Sequence, residues 1–393
     1  MNTSRRRALV HIVTGTAGLL ANGGVDRLAA QAPCGDGTAA GRLIGTLPLS
    51  RADGETQPFG VKFGGHGLDA RKITDLSRLE PGRLITSNDL AFIRTERPVS
   101  AARRRSPWTI ATTGLLARDG VVTVNELARL SRPMGPHLFE CSGNNNPANF
   151  GLMSVADWDG VPLADVVSRM QPAASATAIL IGGVDDEAQR SGTSVPGASW
   201  IVPLAALDRL GAFLALRMNS EPLPPDHGAP VRLVVPGWYG CAWIKWVDRI
   251  RLVGAEEPAT SQMKEFAGRT HQTARHDLSR DYRPPEIEAA AMPIRVEKRR
   301  TPDGLYYRVV GITWGGDGAF DRLAIRFATD DEWQPVSLCG PRPRTPHWRL
   351  WEFRWLPRSA GPYSIALRVP DPSIPQQRLD SGYYVRQVTI EEL

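Results

Sequence analysis

The chain has 393 residues, 42% of them hydrophobic and 22% charged, with a net charge of +6 and a pI near 9.3. That length suits two or three domains, and that balance suits a packed core and excludes global disorder. The arginines are scattered, with local runs at Arg5–Arg7 and Arg103–Arg105, and no basic stretch interleaves aromatics as a nucleic-acid module does. No nucleic-acid partner is expected, and the positive balance suits an anionic small-molecule substrate.

Residues 1–32 read as an address. Ser4-Arg5-Arg6-Arg7-Ala8-Leu9 opens an apolar stretch that runs from Leu9 to Leu20, and Ala30-Gln31-Ala32 supplies a small-x-small cleavage site. This is the pattern of a twin-arginine export signal, which carries folded cargo, often around a cofactor already loaded. The apolar run is too short and too rich in glycine to span a bilayer, and no later run reaches membrane length. A periplasmic or otherwise exported protein without membrane insertion is expected. Cys34, Cys141, Cys241 and Cys339 match no CxxC, zinc or c-type haem spacing, although an exported chain could pair some of them. Cys34, just past the cleavage site, is expected in a flexible stretch.

The 38 glycines and 32 prolines favour short strands and many turns. Residues 33–85 read as an approach segment that includes the glycine-rich loop Phe59–Gly67. Leu84–Val99 carries a helix-start signal at Thr86/Ser87 and stops at Pro98. Trp108–Leu115 alternates like a strand, and Thr123 with Glu126 makes a capping box for a short helix. Leu138–Glu140 reads as a buried strand running into Cys141, and Gly143, Asn144, Asn145 and Asn146 tolerate a tight turn after it. Pro162 suits the first turn of a helix through Ala164–Arg169. Ala178–Val184, Phe213–Met218, Val231–Val235 and Ile244–Val253 read as strands, the last with a slip near Asp248. Gly192–Ala198 reads as loop and Pro203–Leu210 as helix. This mixed region has no βαβ glycine fingerprint and no P-loop. Residues 256–288 are polar and read as a linker. From Met292 onward, β runs at Tyr306–Ile312, Ala324–Ala328, Trp348–Trp355 and Tyr363–Val369 alternate with Gly/Pro/Asp turns, which fits an antiparallel sandwich of immunoglobulin type.

Chemistry concentrates at two places. Cys141 could be a structural thiol, a nucleophile or a soft metal ligand. A nucleophile needs a base, and His137 on the same extended strand would stand roughly 13 Å away. His227, Arg232 and Lys245 surround a turn rich in Gly and Pro, where together they offer donors to an anion such as phosphate.

In their order along the chain, ECSGN from Glu140, SVADWDGVPLADVV from Ser154, PPDHGAPVRLVVPG from Pro224 and Ile244-Lys245-Trp246 resemble the molybdopterin domain of the sulfite oxidase family. Leu84–Val99 resembles that family's approach segment, and Tyr306–Gly316 lies in a region similar to its immunoglobulin-like dimerisation domain. The resemblance covers roughly residues 55–393. It implies an α+β chain with a mixed α/β molybdopterin domain over 33–270, a linker over 271–289 and an immunoglobulin-like β-sandwich over 290–393.

The resemblance also implies molybdenum–molybdopterin as cofactor, with Cys141 as the metal-binding thiolate and Arg94 facing the substrate. Phe92, Ile93, Arg94, Thr95 and Glu96 match the segment lining the cofactor. Asp185, His227, Arg232, Trp243, Ile244 and Lys245 match its other contacts. His227, Arg232 and Lys245 suit a pterin phosphate, and Asp185 suits ring N–H donors. The implied activity is oxygen-atom transfer on a small sulfur oxyanion. Electrons would pass to an external carrier such as a c-type cytochrome, because the chain has no haem motif. A homodimer through residues 290–393 is implied as well.

The pattern departs from the family at Asn146 and Ala242, where arginines are usual, and at Phe266, where a tyrosine is usual. Phe150 and Trp158 are the available substitutes for a family tryptophan, and Arg378 and Arg386 for a C-terminal arginine. This thinner anion pocket leaves two other readings: a sulfoxide-type reductase using the same centre in reverse, and a cofactor-binding or association module without catalysis.

Overall fold

The computed structural model describes residues 34, 41–51, 63–103, 107–144, 150–185, 191, 197–316 and 320–393. The stretch read as an export signal, Asn145, Asn146, the residues just before Phe63 and residues 192–196 lie outside them.

The strand that delivers Cys141 is Arg132–Glu140. It pairs antiparallel with Met153–Pro162, which pairs with Phe213–Met218, and that strand also carries Glu221–Pro222 and Arg232–Val234. Leu138, Phe139, Met153, Val155 and Trp158 are all buried here, as are Phe213 and Leu214. A second sheet runs in the order Ser199–Pro203, Ala178–Gly183, Val247–Val253, Thr109–Gly114, Gly120–Thr123. Val247–Val253 lies parallel to Thr109–Gly114 and the other pairs are antiparallel. The expected slip near Asp248 is a β-bulge: Gly182 faces Arg249 while Gly183 faces Val247, so Asp248 has no partner in the register. The capping box forms as expected, with the Thr123 hydroxyl accepting from Glu126 N at 3.2 Å and Thr123 N donating to the Glu126 carboxylate at 2.7 Å.

The C-terminal region is an immunoglobulin-like sandwich of two sheets. One is ordered Arg42–Leu47, Ala290–Thr301, Gly304–Trp314, Arg349–Trp355, Ser337–Leu338. The other is ordered Gln334–Pro335, Ala324–Arg326, Gly361–Arg368, Arg386–Ile390, Ser50–Arg51. Phe327 stacks on Trp355 with centroids 4.1 Å apart, joining the two layers. Gly311 is required where it stands, since a Cβ there would lie 2.2 Å from the Trp351 ring.

Several expectations change. Residues 42–51 are more than an approach segment, because they add an edge strand to each C-terminal sheet. Cys34 is tied to Cys339 by a disulfide rather than lying in a flexible stretch. Leu84–Val99 is not a helix. Asn219 Nδ2 takes the Thr86 carbonyl at 2.8 Å and Asn88 Nδ2 donates to the Met218 carbonyl at 3.0 Å, so tertiary bonds capture this backbone. It turns at Ser87–Leu90 and becomes the short strand Ile93–Arg94, and the helix Val99–Arg103 starts only after Pro98. Ile244–Trp246 precedes the strand, with Trp246 at φ 52°. Within 256–288 there is a helix, Ser261–Phe266, and a turn, Ala267–Arg269, both of which help to form the site.

Candidate active site

Stretches far apart in sequence converge on one cavity of about 130 Å³, four of them supplying most of its lining beside Leu68, Asp185 and Ala198. The four are Phe92–Thr95, the Cys141 turn, the Asp226–Trp246 region and the Ser261–Arg269 lip.

Cys141 ends its strand half-buried, with its N–H bonded to Leu152 O at 2.9 Å and its carbonyl accepting from Asn144 N at 2.9 Å. Gly143 N–H points at its sulfur at 3.4 Å. Burial raises the thiol pKa, while this N–H and the charges of Arg94 and Arg269 oppose the rise. Asn144 locks the turn: its amide N donates to Glu140 Oε1 at 2.9 Å and its amide O accepts from Gly151 N and Leu152 N at 3.0 Å each. Two bonds arrive from the C-terminal sandwich, Trp314 Nε1 to Glu140 Oε2 at 2.9 Å and the Tyr383 hydroxyl to Asn144 O at 2.8 Å. Burial lifts the Glu140 carboxyl to about 7.

Another part of the lining is cationic. Arg232 is buried among the rings of Phe139, Trp158 and Trp243, at 5.9, 5.5 and 5.5 Å. It donates to the carbonyls of His227 at 3.2 Å and Trp243 at 3.3 Å, and its Nε has no hydrogen-bond partner among the described residues. Desolvation lowers its pKa to about 9. His227 Nε2 is likewise buried without a partner, and burial followed by the Arg232 and Lys245 charges holds the ring neutral, with its pKa lowered to about 3. Gly228, at φ 107°, ends the Pro225–His227 turn, and a Cβ there would press on Arg232 and Lys245 at 3.0 Å.

Lys245 Nζ donates to the carbonyls of Arg94 at 3.1 Å, Thr95 at 2.5 Å and Asp226 at 2.8 Å. An ammonium has three donors, and these use all of them. Lys245 therefore lines the cavity as a staple between the Arg94 segment and the His227 turn, and not as the phosphate donor expected. Thr95, held in the left-handed region at φ 75°, is fixed by this staple and by its N–H to Ala70 O at 3.2 Å. Arg94 also donates to Leu68 O, and burial lowers its pKa while Cys141 raises it, so guanidinium and thiol stand within electrostatic reach. Asp185 accepts from Gly197 N at 2.9 Å and Ala198 N at 3.2 Å.

Phe92, Ile93, Arg94, Thr95, Cys141, Asp185, His227, Arg232, Trp243, Ile244 and Lys245 all line the cavity. Glu96 does not: its carboxylate accepts from Gly67 N at 2.7 Å and braces the loop behind. Phe266 lines the cavity, while Ala242, Phe150, Trp158 and both C-terminal arginines considered, Arg378 and Arg386, stay out of it. Arg386 is fully buried over the Phe150 and Tyr383 rings at 5.5 and 5.0 Å. Asn146 lies outside the described residues. Sequence reasoning missed Cys241, Gln262 and Arg269 as lining residues. The last two sit on a helical turn inside a polar run, where a helix start at Thr260 was the only available signal.

A buried guanidinium and a buried imidazole with unsatisfied nitrogens, lining one cavity with a thiol, suit an anionic, phosphate-bearing group. Residues 96–261 match the family described as oxidoreductase molybdopterin binding domain. Fold, site and this match together mark a molybdopterin-binding domain. Over 250 residues the chain is 31% identical to the mitochondrial sulfite oxidase of Macaca fascicularis, a match covering 61% of this chain and 44% of that protein. It is 32% identical over 191 residues to an inducible NADH nitrate reductase of Glycine max, covering 44% of this chain and 21% of that one. The crystal structure of the sulfane dehydrogenase SoxCD from Paracoccus pantotrophus superposes with a TM-score of 0.62 at 18% identity, covering 85% of this chain and 91% of that one. The chain is thus similar to sulfite oxidases over its molybdopterin-binding region, and its match to the Macaca relative covers under half of that protein's length.

Proposed function

We propose that this protein holds molybdenum–molybdopterin through Cys141 and catalyses oxygen-atom transfer on a small sulfur oxyanion. The observation that carries this reading is the Cys141 thiol opening into one cavity with Arg94 beside it and the Arg232–His227 pair in the same lining. Bound there, the cofactor would supply a metal centre that exchanges an oxygen atom and takes up two electrons. The chain's own residues do the rest. Cys141, oriented by Leu152 and Gly143, offers a thiolate whose charge Arg94 and Arg269 favour. His227 and Arg232 would hold the cofactor's phosphate, and Asp185 would accept from its ring N–H groups. Arg94 orients the substrate anion. Phe266 forms a wall without a hydrogen-bond donor. The relatives named for sulfite oxidase and sulfane dehydrogenase favour a sulfur substrate.

Electrons leave to an external carrier such as a c-type cytochrome, and the chain works as a homodimer through residues 290–393. It is exported by its twin-arginine signal. The Cys34–Cys339 disulfide suits an oxidising compartment, and among the described residues no helix is long and apolar enough to cross a membrane.

The test is molybdenum and pterin counted per chain, with ferricyanide-coupled sulfite oxidation set against viologen-coupled sulfoxide reduction. Wild type should carry about one molybdenum and oxidise sulfite, and Cys141→Ser should lose the metal and the turnover. Metal undiminished in Cys141→Ser, or absent from wild type, rejects the cofactor assignment. Sulfoxide reduction without sulfite oxidation reverses the direction of the reaction.

A further inference from the structure

We propose that Arg269 is a substrate-positioning residue which, together with Arg94, grips the oxygens of an anionic substrate at the mouth of the Cys141 cavity. The inference rests on the oxyanion reading above and supplies the second cation of that site.

Arg269 lines the same cavity as Cys141 and Arg94, although it comes from a stretch whose sequence reads as a linker. Both guanidiniums face this one cavity, so their like charges repel across it. That of Arg269 is exposed at the mouth and rides 5.4 Å from the centroid of the Phe266 ring, which also lines the cavity. Its backbone is fixed. Thr270, 1% exposed, donates its N–H to Ala267 O at 3.2 Å and its hydroxyl to Phe266 O at 3.0 Å, and Gln272 N bonds Ala267 O at 3.0 Å. Lys264, on the same lip, faces Asp277 at 3.8 Å. Arg269 has no ion pair among the described residues. Two guanidiniums that repel across a small cavity, one of them pressed by burial, are relieved by an anion between them. A small oxyanion with two or more accepting oxygens fits, whereas a neutral sulfoxide recovers little of that repulsion. Ring and cation together also put a guanidinium near the place where the family's tyrosine hydroxyl is missing.

The experiment uses holoenzyme of wild type, Arg269→Met and Arg269→Lys. Sulfate, an unreactive oxyanion, is titrated calorimetrically at low ionic strength, and molybdenum is counted on each preparation. Arg269→Met should weaken sulfate about tenfold or more, with Arg269→Lys in between, at unchanged metal content. Under sulfite turnover the same change should appear mainly in KM. Unchanged sulfate affinity in Arg269→Met overturns the proposal, as does a wild type that binds no sulfate. Metal loss in Arg269→Met with unaltered sulfate affinity per molybdenum also overturns it, because the residue would then serve the cofactor. Arg269-dependent sulfate binding in a wild type that oxidises no sulfite supports the role of Arg269 and sinks the choice of sulfite.

Discussion

His137 stands four residues before Cys141 on the same strand, and the structure gives it a packing role. Its ring lies 5.7 Å from Phe213, its Nε2 meets Met134 O at 3.1 Å, and burial pushes its pKa down to about 4. The folded ring is neutral down to that pH, while the unfolded chain takes up the proton near 6.5. Its contribution is therefore present above pH 6.5 and is lost as pH falls from 6.5 towards 4. The ceiling is roughly 3 kcal/mol from the size of that shift. His137→Gln should flatten the acid limb, so that urea unfolding at pH 5 and pH 7.5 differs less than in wild type. An equally steep limb in the variant would reject this. At this scale Cys141, Arg94, His227 and Arg232 were legible because their motifs carry them. Arg269 was not, because an arginine in a polar run looks the same whether it faces solvent or a cavity until the fold brings Phe266 and Cys141 beside it.

Between elements, Lys245 does the joining. Its three carbonyl bonds tie the Ile93–Arg94 strand to the Pro225–His227 turn. Lys245→Met keeps the stem and removes the donors, leaving three carbonyls at a partly buried site unsatisfied. Hydrogen bonds from a charged donor contribute about 1.5–3 kcal/mol each, so a melting-temperature drop of several degrees and a lower kcat are expected, the latter because Arg94 loses its anchor. Holoenzyme melting and steady-state kinetics check both, and a variant with wild-type kcat shows that Arg94 is placed without the staple. The strands of both halves were readable from alternation and turn residues, down to the bulge at Asp248. The Leu84–Val99 helix was misread because local signals at Thr86 and Ser87 cannot report that Asn219 and Asn88 tie this backbone elsewhere. The chain's first strands escaped for the same reason, since their partners lie about 250 residues or more downstream.

Across the whole molecule, the sandwich is wired into the site. Trp314 donates to Glu140 and Tyr383 donates to Asn144, the two residues that hold the turn on either side of Cys141. Both bonds cross more than 170 residues of sequence and end on buried groups. The C-terminal region therefore positions the thiol. Trp314→Phe keeps the ring and removes the donor, leaving Glu140 Oε2 unpaired in the interior, at about 1–3 kcal/mol. Tyr383→Phe removes the second bond, which ends on a backbone carbonyl rather than on a carboxylate, so its effect should be smaller. If the brace sets the turn, Trp314→Phe should lower the molybdenum retained per chain more than its loss of stability explains, and Tyr383→Phe should follow in the same direction. A control of equal stability loss placed in the distant sandwich core, such as Phe327→Leu, should retain its metal. Equal metal content in all three, at matched melting temperatures, would reduce the brace to ordinary stability and separate the sandwich from the chemistry at Cys141.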